Sequence, residues 1–282
     1  MESVKTIRAI ERAFAVLDAL QAYPDGRTLI ELQGATDLSG PTVMRILKTL
    51  AGVKAVRRSM VDQRWRNSLQ LNVLAQASHP IDRLADVAAP WLDLLCRQVE
   101  WPSDLAIHRG DDDCMTVLES NLRMSKFFIR RSPGGVRVNL LMSAAGRAFL
   151  AALTTTKRKA LVEQARCSRD IHNQKAIALG DVEELAAVAR AQGYAARHRL
   201  YRGGAFTAKP RDDSVNAIAV PVIARSKVLG ALNINWNRSA MTEKEMARRH
   251  LASLQAAAVG IARDADKHGL LGQLDHLEIS DW

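Results

Sequence analysis

Residues 39–50 read Ser-Gly-Pro-Thr-Val-Met-Arg-Ile-Leu-Lys-Thr-Leu, and no other stretch limits the fold as sharply. Gly40-Pro41 punctuates a turn, and proline suits the first helical position because its missing N–H has no intrahelical partner there. Ser39 or Gly40 then takes the N-cap. Val43, Ile46, Leu47 and Leu50 recur at helical spacing and predict a core-facing stripe. Thr42, Arg45 and Thr49 fall on the opposite side, with Met44 and Lys48 on its flank, and Gly52 weakens the helix near its end. The question is what that polar face touches.

The flanking segments narrow the answer. Ile7, Ile10, Phe14, Leu17 and Leu20 step by three or four and predict one apolar helical stripe, ended by Tyr23-Pro24-Asp25-Gly26. Thr28 with Glu31 three residues on forms a capping-box start. Leu29, Leu32 and Ala35 then face inward, and Thr36-Asp37-Leu38-Ser39 closes that helix. Beyond the opening stretch, Val56-Arg57-Arg58 and Arg64-Trp65-Arg66 read as two short strands around a turn at 59–63. Seven basic residues (Arg45, Lys48, Lys54, Arg57, Arg58, Arg64, Arg66) lie between residues 40 and 66 against one acid, Asp62, so positive charge is concentrated here.

Three helices followed by a basic hairpin is the winged helix-turn-helix pattern, in which the last helix enters the major groove and the hairpin follows phosphates. It assigns DNA contact to Thr42, Met44, Arg45, Lys48 and Thr49, and to the wing residues Arg57, Arg58, Arg64 and Arg66. Arg45 suits either a phosphate or guanine O6 and N7, whereas Thr42 and Thr49 suit phosphate. Any one of these charges alone reads as a solvated face; their order favours DNA.

The totals agree. The chain has 282 residues, enough for two domains, with 48% hydrophobic and 25% charged residues and a formal net charge of +10, which fits a polyanion partner. No run has the length of a membrane span, and residues 1–10 hold no signal-peptide core, so a cytoplasmic protein without membrane association is expected. Cys96, Cys114 and Cys167 are odd in number and widely spaced, which fits neither a disulfide framework nor a zinc site. No GxSxG, P-loop, GxGxxG, HExxH or EF-hand spacing occurs, so no enzyme, metal or cofactor is expected. Ser168, Asp170 and His172 read as loop residues, Asp111-Asp112-Asp113 as a solvated hairpin tip, and Cys96 as core packing.

The remainder is larger. Residues 68–77 suit a linker helix that Ser78-His79-Pro80 breaks, and 81–100 an amphipathic helix. Strands are expected at 105–108, 115–118, 126–130, 216–223 and 228–235. Helices are expected from Ser143-Ala144-Ala145-Gly146 through Phe149 and Leu153, over 155–166 and 181–192, and from Thr242 to Ala265. This grouping predicts an α+β class, with 1–67 as a winged helix-turn-helix domain, 68–79 as linker, 80–266 as a larger second domain and 267–282 as a tail. Ser143, Ala144 and Ala145 leave room at a helix start whose N–H groups favour a carboxylate. Asn233 and Asn235 share a strand face and suit a bound polar group. Packing choices and turn chemistry are the ordinary alternatives for these residues.

These residues resemble the isocitrate lyase regulator (IclR) family of bacterial transcription factors. The likeness is carried by Ile10-Glu11-Arg12-Ala13 with Val16-Leu17, by Leu38 with Thr42–Leu47 and Thr49-Leu50, by the two wing strands, by Ser143–Gly146, by Ala217-Ile218-Ala219-Val220-Pro221 and by Gly230–Asn235. The chain departs from the family's pattern at Gly40-Pro41, where a polar pair is common, and at Lys54-Ala55, where glycine and an aromatic are usual. The resemblance implies that 80–266 is an effector-binding and oligomerisation domain, a GAF-like mixed α/β sensor whose effector pocket adds Met142, Asp213 and Ala217 to Ser143, Ala144, Ala145, Asn233 and Asn235. Trp101–Asp104 and Ser239–Thr242 are closest to the branch controlling aromatic-acid (hydroxyphenylpropionate-type) catabolism. The implied function is an activator or repressor that binds a palindromic operator in double-stranded DNA as a homodimer or homotetramer. A small organic-acid effector modulates it, and RNA polymerase is a further partner. The rival readings are a DNA-binding oligomer without effector and an enzyme with a sensor-like domain.

Overall fold

The computed structural model describes residues 6–21, 23, 25–68, 80–110, 113–127, 137–203 and 212–274, and the chain falls into two compact units, 1–79 and 80–282. The expected linker helix lies outside the described residues, apart from Ser68.

The first unit holds α1 (Arg8–Gln21), α2 (Leu29–Thr36), α3 (Gly40–Gly52), β1 (Val56–Arg58) and β2 (Trp65–Asn67). Thr28 caps α2 with the reciprocal bonds of a capping box: Glu31 N donates to Thr28 Oγ1 at 3.3 Å, and Thr28 N to Glu31 Oε2 at 2.7 Å. Val16, Leu20, Leu32, Val43, Leu47, Val56 and Trp65 form one buried cluster. Full burial of such side chains contributes roughly 1.5–3 kcal/mol each. The expected stripe of α1 is only half right. Leu20 is buried and Leu17 half-buried, but Ile10 and Phe14 are 52% and 61% exposed, because the buried face of α1 runs through Val16 and Leu20 and turns Ile10 and Phe14 away from the cluster. Ala35 of α2 is likewise exposed.

α3 ends in a Schellman motif. Ala55 N donates to Leu50 O at 2.8 Å and Lys54 N to Ala51 O at 3.0 Å, with Lys54 in the left-handed region at φ 59°. β1 and β2 pair antiparallel, Arg57 opposite Arg66 and Arg58 opposite Trp65, and Trp65 also bridges to Arg27 ahead of α2.

The second unit holds α4 (Pro80–Val99), β3 (Ser103–His108), β4 (Cys114–Ser120), β5 (Arg137–Asn139), α5 (Ala144–Ala152), α6 (Thr155–Ala165), α7 (Ile171–Leu179), α8 (Val182–Gln192), β6 (Ala195–Ala196), β7 (Val215–Ala224), β8 (Lys227–Asn237), α9 (Glu243–Lys267) and α10 (Leu270–Leu274). Its six strands pair antiparallel throughout in the order β5-β4-β3-β8-β7-β6. Strand alternation divides the sheet into two unlike faces. Leu105, Ile107, Ile218, Val220, Leu232, Ile234 and Trp236 point into a large-residue core with α4 and α9. There Gly260 lets the Trp91 ring approach, since a Cβ at 260 would lie 2.5 Å from it, and Trp91 Nε1 donates to Asp264 at 2.9 Å. Ala106, Ala217, Ala219 and Ala231 line the other face, against α5.

Three expectations change. Lys126 and Phe127 lie in a bend, not a strand, after the turn that Asn121 closes on Met124 and Ser125; residues 128–130 are outside the described set. Ser168, Asp170 and His172 are not loop residues at the surface. They are buried, and Asp170 caps α7 by accepting from His172 N at 2.8 Å. Leu270, placed in the tail, is buried in the large-residue core.

Candidate nucleic-acid interface and ligand site

Pro41 sits in the first turn of α3 after Ser39, whose hydroxyl meets Thr42 Oγ1 at 2.9 Å and makes no cap bond to the backbone. Val43 and Leu47 are buried beneath, so Arg45, Lys48 and Thr49 stand exposed on the far side. Thr49 Oγ1 donates back to Arg45 O at 2.9 Å. Met44 is half-buried and packs on the unit's cluster, so only part of it faces solvent. Arg45, Lys48 and Arg57 have no ion pair among the described residues, which leaves their donors to solvent or a ligand.

The other wing arginines are engaged. Arg58 Nε donates to Gln63 O at 3.0 Å, and its guanidinium lies 6.0 Å from the Trp65 ring centroid. Arg64 ties the wing to α2 through Gly26 O at 2.9 Å and Glu31 Oε2 at 3.0 Å. Arg66 grips Asp62 across the hairpin at 3.0 and 2.6 Å. Hydrogen bonds from Arg66 and the Arg64 amide hold the Asp62 carboxyl far below its usual range. Glu31 and Asp62 thus occupy part of the Arg64 and Arg66 guanidiniums, pairings that a count of charges does not reveal.

In the second unit the expected pocket residues gather on or beside the alanine face. Met142, Ala144, Ala145 and Ala217 share its core cluster. Ser143 caps α5, accepting from Gly146 N at 3.0 Å. A Cβ at Gly146 would lie 2.0 Å from Leu140 O, so close packing explains the small residues at this helix start. Asn139 aligns the segment: its Oδ1 accepts from Met142 N at 2.7 Å, while its amide donates to Asp170 at 2.9 Å and Asn173 at 2.8 Å. Asp213 is held by Arg197 Nη2, which donates to both carboxylate oxygens at 2.9 Å.

Asn233 and Asn235 form a buried relay with Asp104, which sequence reasoning did not select. Asn235 Nδ2 donates to Asp104 Oδ2 at 2.8 Å, Asn233 Nδ2 to Asn235 Oδ1 at 2.9 Å, and Ser120 Oγ to Asp104 Oδ1 at 2.6 Å. Only the pairing of β3 with β8, Asp104 opposite Asn233, brings these groups together, and no local pattern announces it. A separate cleft of about 880 Å³, bordered by Ile107, Phe149, Leu161, Lys157 and Lys227, contains none of the expected pocket residues.

Residues 9–59 match the IclR helix-turn-helix domain, and residues 78–263 match the family described as bacterial transcriptional regulator IclR C-terminal. The chain belongs to the IclR family. IclR-family membership makes it a DNA-binding transcriptional regulator, and its α+β architecture agrees with solved relatives. An IclR homologue from Microbacterium sp. strain HM58-2 superposes with a TM-score of 0.53 at 20% identity, covering 92% of this chain and 98% of that one. Another, from Microbacterium hydrocarbonoxydans and complexed with 4-hydroxybenzoate, gives a TM-score of 0.50 at 20% identity, covering 92% and 99%. By sequence the chain is 26% identical over 255 residues to the Pca regulon regulatory protein of Pseudomonas putida, covering 89% of this chain and 81% of that protein. It is 29% identical over 190 residues to the HTH-type transcriptional regulator BhcR of Paracoccus denitrificans, covering 67% and 66%. No described helix is long and apolar enough to cross a membrane.

Proposed function

We propose that this IclR-family regulator reads its operator chiefly through Arg45. The observation that carries this is the exposed α3 face, where Arg45 and Lys48 stand above buried Val43 and Leu47 with no ion pair among the described residues. Arg45 is the group suited to a guanine edge, while Lys48, Thr42, Thr49 and the wing arginines Arg57 and Arg58 neutralise or bond phosphates. Arg64 and Arg66 first fix the wing, through Glu31 and Asp62, and offer their remaining donors to the backbone of the duplex. Footprinting of an operator with Arg45→Ala tests this: a weakened and blurred footprint is expected, and an unchanged one sinks the placement of α3.

The second unit binds a small organic-acid effector, an aromatic acid in the first instance, on the alanine face near Met142, Ala217, Asn233 and Asn235. Support comes from the buried polar relay on that face, from the 4-hydroxybenzoate bound by the Microbacterium hydrocarbonoxydans homologue, and from the likeness to the Pca regulon regulatory protein. The chain acts in the cytoplasm as a homodimer or homotetramer on a palindromic site, with RNA polymerase as the eventual recipient of the signal. A ligand of the native state must raise apparent stability. A thermal-shift panel of aromatic acids with no response would favour an oligomer without effector.

A further inference from the structure

The cleft of about 880 Å³ that stands apart from the expected pocket residues is walled by the junction of α5 and α6, the turn between β7 and β8, the end of β3 and the first turns of α4. Its floor is apolar. Ile107, Phe149, Leu153, Leu161 and Leu229 line it, and the Phe149 ring stacks on His108 with centroids 5.3 Å apart. Its rim is cationic. Arg109, Lys157, Arg225 and Lys227 border it, and none of the described residues that line it is an Asp or a Glu. Arg225 pairs at 3.0 Å with Asp266, which is not itself a lining residue. An apolar floor under a rim of one sign fits an occupant that is both apolar and acidic.

The described chain stops at this wall. Leu271 and Gly272 of α10 line the cleft, and α10 is fixed there. Leu270 is fully buried, Lys227 Nζ donates to Leu271 O at 3.2 Å, and Arg83 Nη1 donates to Gln273 Oε1 at 2.6 Å. Residues 275–282, Asp-His-Leu-Glu-Ile-Ser-Asp-Trp, follow α10 in the sequence and lie outside the described residues. In a chain of net charge +10 they carry three acids, Asp275, Glu278 and Asp281, and neither lysine nor arginine. Leu277, Ile279 and Trp282 add apolar surface, and Leu277 and Ile279 share one face of an extended segment. Eight residues span roughly 26–29 Å at full extension, which is ample to enter a cleft that opens beside their first residue.

We propose that this cleft is the docking groove for the chain's own acidic segment 275–282, with Leu277 and Ile279 on the floor and the three acids beside the rim cations. The segment matches the groove in charge and in apolarity, and it is tethered where the groove begins. Tethering gives it an effective concentration of about millimolar, so a weak contact suffices. An occupied groove also covers Ile81 and Leu84, in the turns of α4 that directly follow the linker 68–79. The inference stands apart from the effector reading and does not depend on it.

Photo-cross-linking of the full chain tests it. With p-benzoylphenylalanine in place of Ile279, illumination should join the segment to peptides of the α5–α6 junction or the β7–β8 turn, and Lys157→Glu should cut the yield severalfold. Mixing heavy- and light-isotope chains separates products within one molecule from products between two. A chain ending at Leu274, checked for an intact cooperative melt, should bind a labelled peptide of residues 273–282. The full chain should bind that peptide at least about tenfold more weakly, because its own segment competes. Replacing the three acids of the peptide by Asn, Gln and Asn should weaken it about tenfold, and added salt should weaken the native peptide. Cross-links that avoid the cleft overturn the proposal. So does equal binding of the peptide by the full and shortened chains, or indifference to loss of the acids. Products formed only between heavy and light chains would assign the groove to the segment of a second copy and overturn the own-chain claim. Decanoate that binds the full and shortened chains alike, with no cross-link in the cleft, would assign it to a free anionic amphiphile instead.

Discussion

Lys54 occupies a position whose backbone favours glycine. Its φ of 59° places it at the left-handed C′ site of the Schellman turn that joins α3 to the wing. A side chain there costs about 1 kcal/mol relative to glycine. Lys54→Gly should therefore stabilise the first unit by about 1 kcal/mol, seen as a higher urea midpoint of its transition with an unchanged slope; a lower midpoint would contradict the assigned turn. His172 makes a second residue-scale case. Burial, set against the neighbouring Asp170 charge and reinforced by Lys175 and Arg197, lowers its pKa from the ordinary 6.5. The folded state thus favours the neutral ring. Its contribution is complete above pH 6.5 and is lost as pH falls through 6.5 toward the lower folded value. His198, lowered by burial and Arg147, acts in the same direction. Stability of the second unit should decline from pH 7 to 5, and His172→Gln should flatten that decline. Equal slopes in the two proteins would remove His172 from the explanation.

At the scale of elements, α3 and the wing share the work unequally. Arg57 is exposed, with no ion pair among the described residues, so Arg57→Ala should leave thermal stability unchanged. It should weaken binding alike on all duplexes and reduce the salt slope by about 1. Arg64→Ala should differ, because it also cuts the bonds to Gly26 and Glu31 that tie the wing to α2. A melting point lowered by a few degrees together with weaker binding is expected; loss of binding alone would show that the tie to α2 is idle. The elements themselves were largely legible. The capping box at Thr28, the stripe of α3, the hairpin and the long strands β7 and β8 each follow a local period that survives folding. What was not legible was burial without apolarity. Ser168, Asp170 and His172 read as loop residues because their stretch is polar, yet they are buried, in a network that also takes in Asn173 and Asn139. The Asp104–Asn235–Asn233 relay was half seen, since the two asparagines share a strand but Asp104 reaches them only through cross-strand register. Helix α1 misled in the other direction: its buried face is set by Val16 and Leu20, which leaves Ile10 and Phe14 of the apolar stripe in solvent.

On the scale of the whole molecule, the two units divide the chemistry. The chain carries a formal charge of +10, and the seven basic residues of 40–66 against the single Asp62 place much of the excess on the helix and wing proposed to meet DNA. The second unit supplies a sheet with one face given to a large apolar core and the other to small residues and a polar relay. A ligand on that face can regulate DNA binding only if it has unequal affinity for two arrangements of the protein. Operator DNA and effector must then alter each other's affinity by the same factor, which titration in both orders measures. The central claim is that Arg45 converts charge attraction into sequence choice. The direct measurement is binding of wild type and Arg45→Ala, by fluorescence anisotropy across a salt series, to a duplex selected in vitro by the full chain and to a scrambled duplex of equal length. Arg45→Ala should lose about tenfold or more on the selected duplex and only a few-fold on the scrambled one, as expected for a base contact worth about 1–3 kcal/mol. Equal losses on both duplexes, or none on either, would contradict it.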